Sequence, residues 1–185
     1  MQKQPWVALF FVLAMPLWIP AEDDSTATSK TVDPSNLTLH KKVIAVLGGV
    51  EVYKTDEDLV LFQAGLEVDA DGSPKAYHPD DGPGRDQLRE AGHPGNWWGI
   101  VTNSRGHPII QEDDDPAPGF YVSETSLQNP KYGDDDPRRY CNASRIPYFV
   151  LPLSHHSLGF SLGDIAAIIR LDSGAMTFAI AADHG

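Results

Sequence analysis

The sequence has a single cysteine, Cys141. One thiol cannot close an internal disulfide. A cysteine nucleophile needs a positioned base, and nothing near Cys141 in the sequence supplies one, so it reads as a packing residue. Basic residues are also scarce, with 14 Lys+Arg against 26 Asp+Glu and a net charge of −12. That balance argues against nucleic acid and against anionic membrane surfaces, both of which are bound through clustered Lys and Arg. It suits a cationic partner, whose local concentration a negative surface raises. No phosphate-cradling glycine loop, zinc-ligand spacing or cofactor fingerprint occurs, so neither cofactor nor metal is expected. What remains is ordinary for a folded domain: 185 residues, 41% apolar and 22% charged. This is enough chain to bury a real core.

Long apolar runs are absent except at the start. Lys3 is followed by an apolar stretch from Trp6 to Ile19, broken only by Pro16. It falls short of the roughly 20 residues of a membrane-spanning helix and has the form of an export signal, with cleavage after Ala21. An uncleaved anchor is the alternative. Loss of residues 1–21 removes Lys3 and no acid, taking the net charge from −12 to −13. Residues 22–42 are polar and rich in Ser, Thr and Asp, and read as a flexible leader. The domain is expected over 43–185. Asn36-Leu-Thr38 and Asn142-Ala-Ser144 are glycosylation sequons.

From Val43 onward, short β-type runs alternate with Gly, Pro and Asp. They are Val43–Leu47, Val50–Tyr53, Leu59–Gln63, Leu66–Asp69, Trp98–Thr102, Gly119–Ser123, Tyr148–Leu151, Ile165–Leu171 and Met176–Ala181. Asp172-Ser-Gly174 between the last two predicts a hairpin. Helical signals are confined to Asp86–Ala91, closed by Gly92, and a turn over Ser123–Leu127. The 15 prolines and 16 glycines imply long structured loops.

Four stretches carry chemistry. In Leu66–Pro79, Asp69 and Asp71 are two apart, which on a strand places both carboxylates on one face. Such a pair suits a cation or an amino sugar; Asp71 before Gly72 equally suits a turn leaving a strand. In Gly95–Gly99, the adjacent Trp97 and Trp98 point to opposite faces if extended. One then enters a core and the other offers an indole platform for a sugar ring or a cation. The run Asp134–Tyr140 reads as a surface salt-bridge network, and Asp113-Asp-Asp115 as a solvated loop. Asp183 ends the last apolar run, where partial burial would raise its pKa. On residue type alone, a structural strand-end Asp is the better reading. Asp164 follows Leu162-Gly163. The pair His155-His156 lacks a third ligand in sequence and reads as a loop pair.

Taken together, these stretches resemble the fungal-type chitosanases, glycoside hydrolase family 75, over roughly residues 48–185. The resemblance rests on the strings at 65–79 and 95–99, on Asp115–Ser123, on Asp136–Tyr140 and on Ile146–Pro152, in matching order and spacing. It implies a mainly β fold, a compact six-stranded barrel-like domain with long loops and few short helices. It implies a secreted (or periplasmic) monomeric endo-hydrolase that cuts β-1,4 bonds of chitosan with inversion. Inversion uses an acid and a base about 6.5–9.5 Å apart. Ala182-Asp183-His184-Gly185 matches the family's Ala-Asp-x-Gly segment, so Asp183 inherits a catalytic role. The family's second carboxylate is a Glu in a Gly-Glu-Gly-Ser-type segment beyond Gly185, so the chain reads as a C-terminally incomplete copy. Asp69, Asp71 and Asp164 are in-chain substitutes by type, or carboxylates for glucosamine ammonium groups. The substrate-binding candidates are Asp69, Asp71, Tyr77, His78, Asn96, Trp97, Trp98 and Asp164. Two other readings stay open: a non-catalytic polysaccharide-binding protein on the same scaffold, and a hydrolase of another glycan.

Overall fold

The computed structural model describes residues 7–13, 40–65, 68–153 and 155–185. Asn36, most of the expected leader and the start of the Leu66–Asp69 run lie outside the described residues. The fold is mainly β, and among the described residues its helical content is three short 3-10 turns, at Leu88–Glu90, Pro137–Arg139 and His155–Leu158. Among the described residues no helix is long and apolar enough to cross a membrane.

Seven strands form the main sheet: β1 (Val7–Leu13), β2 (Lys41–Leu47), β3 (Val50–Thr55), β4 (Val60–Gly65), β7 (Tyr148–Leu151), β8 (Ile165–Arg170) and β9 (Met176–His184). Their order is β2-β3-β4-β1-β8-β9-β7, with β2 and β7 outermost. Only β7 and β9 pair in parallel. The remaining strands, β5 (Gly92–His93) and β6 (Asn96–Trp97), make a two-residue hairpin.

The strands follow the sequence pattern where β-branched and apolar residues alternate with polar ones. Val52 on β3 and Val60 on β4 face Phe149, Leu151, Phe160, Ala166, Ala179 and Ala181 in the principal core. The β8–β9 hairpin turns through Asp172–Gly174, where Gly174 sits at φ +70° and its N–H donates to Arg170 O at 2.7 Å. β9 is buried only from Ala179 onward; Met176 and Phe178 are exposed.

Two expectations need correction. Trp98–Thr102 and Gly119–Ser123 do not form ladders. They meet through isolated bridges, Ile100 to Ser123 and Tyr121 to Ile110. The Pro and Gly around them leave no room for longer pairing. Asp86–Ala91 reaches only a single 3-10 turn, and Ser123–Leu127 is not helical, because its backbone is drawn into long-range bonds: Glu124 N to Gly99 O and Leu127 N to Ala182 O. Val7–Leu13, inside the expected export signal, runs as β1, antiparallel to both β4 and β8. Val-Ala-Leu-Phe-Phe-Val-Leu suits a buried strand as well as a signal core. Cleavage after Ala21 and a strand at this place exclude each other in one molecule.

The segment 68–147 crosses one end of the sheet as long loops with two small cores of their own. One gathers Ala76, Tyr77, Ala91 and Ile100, and the other Val101, Val122 and Tyr140. The buried Gln111 amide binds them together, donating to Pro74 O at 2.7 Å and Tyr121 O at 3.1 Å. These loops and the end of β9 enclose the candidate site.

Candidate functional site

A cavity of about 820 Å³ opens between the loops and the end of β9. Its lining includes the carboxylates Asp69, Asp71, Asp86, Glu90, Glu124 and Asp183, beside Trp98 and Tyr77, and, among the described residues, no Lys or Arg.

Asp183 reaches the cavity because β9 carries a bulge. Phe149 pairs with Ala181 and Val150 with Asp183, so Ala182 is an extra residue in β9. Strict alternation would place residue 183 on the core face with Ala179 and Ala181. The bulge turns it out of the core, a common use of such insertions beside functional sites. Three donors then converge on Asp183 Oδ1: the N–H and the hydroxyl of Ser126, and the N–H of His184 at 2.8 Å. Among the described residues, Oδ2 accepts no hydrogen bond.

Asp71 lies across the loops. Its carbonyl is held by the Tyr148 hydroxyl at 3.0 Å and its Oδ1 by the Tyr77 hydroxyl at 2.7 Å. The next residue, Gly72, has φ +71°, and a Cβ there would lie 2.1 Å from Cys141 O, so only glycine fits this turn. Gly99 has a different reason for lacking a side chain. A Cβ there would sit 2.7 Å from Asp71 Oδ1 and 3.0 Å from Oδ2. The Asp71 carboxyl is pushed up to about 7, by desolvation first, then by the charges of Asp69 and Asp183, against the lowering bond from Tyr77. Asp69 is pushed up in the same sense by partial desolvation and by Asp183 and Asp86, opposed by the Asp71 N–H that it accepts at 2.9 Å. Glu124 is also raised, by burial and then by Asp183. Among the described residues its carboxylate has no hydrogen-bond partner. Burial first, and then mutual repulsion among the enclosed acids, explains the common direction.

The two tryptophans part. Trp97 packs against the Ala76–Tyr77–Ala91–Ile100 core. Trp98 is 55% exposed, and its indole N–H donates to Glu90 O at 3.0 Å, fixing the ring at the cavity edge. His93 stands edge-on to it, with 6.2 Å between ring centres.

Of the sequence candidates, Asp69, Asp71, Tyr77, Trp98 and Asp183 line the cavity. Four do not. Trp97 is part of a core. His78 packs against the Phe120 ring at 4.9 Å, and its Nδ1 accepts from Asp80 N at 3.1 Å. Asn96 is exposed on β6. Asp164 caps a turn before β8, accepting from Ser161 N at 2.8 Å, while its carbonyl takes the Ala181 N–H. Their motifs serve turns and packing rather than the cleft. Asp86, Glu90, Glu124 and Ser126 line the cavity without having been singled out in sequence. Glu124 carried a faint signal, as the residue following the Gly119–Ser123 run.

Cys141 is buried, with its thiol pushed up by desolvation and then by Asp183, as suits an inert packing residue. The charges at 134–139 are solvated pairs, Arg138 with Asp136 at 2.6 Å and Arg139 with Asp134 at 3.1 Å. Among the described residues no three His, Cys, Asp or Glu side chains are grouped to hold a metal ion.

Comparison with protein-family models gave no match, and neither did comparison with the curated proteins.

Proposed function

We propose that the chain is a secreted endo-acting glycoside hydrolase of the chitosanase type, taking β-1,4-linked glucosamine polymer as substrate. The observation that carries this reading is the cleft itself: six carboxylates and an exposed indole around one cavity, with no Lys or Arg among the described residues of the lining. Glucosamine carries an ammonium group below its pKa. An ammonium against a carboxylate makes a charge-assisted hydrogen bond, roughly twice as strong as a neutral one. The indole face of Trp98 suits the C–H face of a sugar ring. Acetylation removes the charge, so such a cleft prefers deacetylated units.

Asp183 fits the role of base. Three donors hold its Oδ1 in place, and Oδ2 is left to accept a proton from water. In an inverting reaction that water attacks C1 from the face opposite the leaving oxygen. Export belongs to the same proposal, on Lys3 and the apolar stretch behind it, as does monomeric action. So does the six-stranded barrel-like closure implied by the family resemblance; in the observed order β2 and β7 are the two ends.

Product analysis on chitosan, chitin and a neutral β-1,4-glucan tests the reading. Oligosaccharides from chitosan, with none or few from the others, are expected. Equal cleavage of chitin or glucan overturns the amino-sugar preference. Tight binding of chitosan with no cleavage leaves the non-catalytic binding protein as the function.

A further inference from the structure

We propose that Glu124 receives the ammonium group of the sugar unit bound beside Asp183, and so sets the preference for glucosamine over N-acetylglucosamine. This rests on the amino-sugar reading of the cleft above and assigns that preference to one residue.

The main chain around Glu124 is clamped from both sides. Ser123, buried, accepts from Gly72 N and donates to Gly99 O through its hydroxyl, each at 3.0 Å. Thr125, also buried, donates to Leu127 O at 3.0 Å and accepts from Cys141 N at 2.9 Å. Glu124 N itself donates to Gly99 O at 3.2 Å. The side chains of Glu124 and Ser126, half-buried between these anchors, line the cavity. Ser126 holds Asp183. Two residues of chain span at most about 7 Å, so Glu124 belongs to the same end of the cavity as Asp183.

Glu124 differs from the other five carboxylates of the lining in having nothing to hold. Asp69 accepts from Asp71 N, Asp71 from the Tyr77 hydroxyl, Asp86 from Gln87 N, Glu90 from the Arg89 guanidinium, and Asp183 from Ser126 and His184. Among the described residues the Glu124 carboxylate has no hydrogen-bond or ion-pair partner. Burial, and then the charge of Asp183, push its carboxyl up. A half-buried charge with no partner costs stability, and a cation entering with the ligand offsets that cost. The described residues group no three side chains for a metal ion. A primary ammonium needs only one carboxylate and brings three N–H donors. The indole of Trp98 on the same cavity indicates that this cation is carried on a sugar ring. N-acetylation removes the charge and leaves Glu124 unpaired again, and a site built to bond a group rejects the analogue that lacks it.

The experiment titrates the wild type, Glu124→Gln and Asp86→Asn with the tetramers of glucosamine and of N-acetylglucosamine by calorimetry. It is run in the cold, with each tetramer checked intact by mass spectrometry, at a pH where the sugar amine is charged. The wild type is expected to prefer the glucosamine tetramer. Glu124→Gln is expected to lose about 10- to 100-fold in affinity for it, the worth of a hydrogen bond to a charged group, and to bind the acetylated tetramer as the wild type does. Asp86→Asn loses less, because Asp86 already has a partner. Glu124→Gln melts at or above the wild type, since the deleted charge had no partner to lose. A Glu124→Gln chain that keeps the wild-type preference, or that loses both tetramers equally, overturns the proposal. So does an equal loss in Asp86→Asn, which would spread recognition over the whole cleft, or a Glu124→Gln chain that melts well below the wild type. A wild type that binds neither tetramer, or both alike, overturns the amino-sugar reading and this inference with it; a selective wild type beside an equally selective Glu124→Gln overturns this inference alone.

Discussion

The Tyr77 hydroxyl donates to Asp71 Oδ1 at 2.7 Å, joining a residue with 1% exposure to a carboxyl that lines the cleft. The bond favours ionised Asp71, so it lowers a pKa that desolvation and neighbouring acids raise to about 7. Tyr77→Phe removes it, and the Asp71 pKa moves further up. The titration of the Asp71 carboxyl therefore shifts to higher pH. The thermal midpoint drops by a few degrees, because the lost bond is worth about 1 kcal/mol and each kcal/mol is about 2–4 °C in a chain this long. A carbon-13 titration of the Asp71 carboxyl and a melting curve check both. A midpoint that stays in place or moves to lower pH contradicts the stated role of this bond.

Ser126 is placed to fix the Asp183 side chain, through both its N–H and its hydroxyl. Ser126→Ala leaves the main-chain donor and removes the other. A hydrogen bond to a charged group is worth about 1.5–3 kcal/mol. The expected loss in kcat is therefore roughly tenfold or more, with little change in KM. A rise in KM at constant kcat would place Ser126 in substrate binding instead.

Much of the sheet was legible in the chain, and less of the site. Strands β2, β3, β4, β8 and β9 follow local alternation and a readable Asp-Ser-Gly turn. The bulge at Ala182 is not local. It arises because Phe149 and Val150 pair with residues two apart, and it decides where Asp183 points. Glu124 and Ser126 join the site because Glu124 N bonds Gly99 O and Leu127 N bonds Ala182 O, contacts between distant segments that no period records. His78 and Asp164 lie away from the cavity for the converse reason. Residue type admitted a binding role, while ring packing on Phe120 and a turn before β8 had already engaged them.

The acid lining makes substrate capture sensitive to salt. The screening length falls from about 10 Å at 0.1 M to about 3 Å at 1 M ionic strength. KM for chitosan is expected to rise several-fold across that range, with kcat less affected, in a steady-state series at fixed pH. A KM indifferent to salt contradicts electrostatic recognition of the polymer.

Strand β1 stands between β4 and β8 and pairs with both. A chain of residues 22–185 lacks it, and two sheet edges lose their partner. Exposed edges invite association. Export with cleavage requires the sheet to stand without this strand, so the shortened chain is expected to melt with the full chain and to elute as a monomer in size-exclusion chromatography. Lower melting or self-association of the shortened chain would contradict export with cleavage.

The most direct measurement is reducing-end release from soluble chitosan by the wild-type chain, beside Asp183→Asn. The account predicts release by the wild type and its loss, by orders of magnitude, in the variant, with both proteins folded. Equal release from the two, or none from a folded wild type, contradicts a hydrolase built on Asp183.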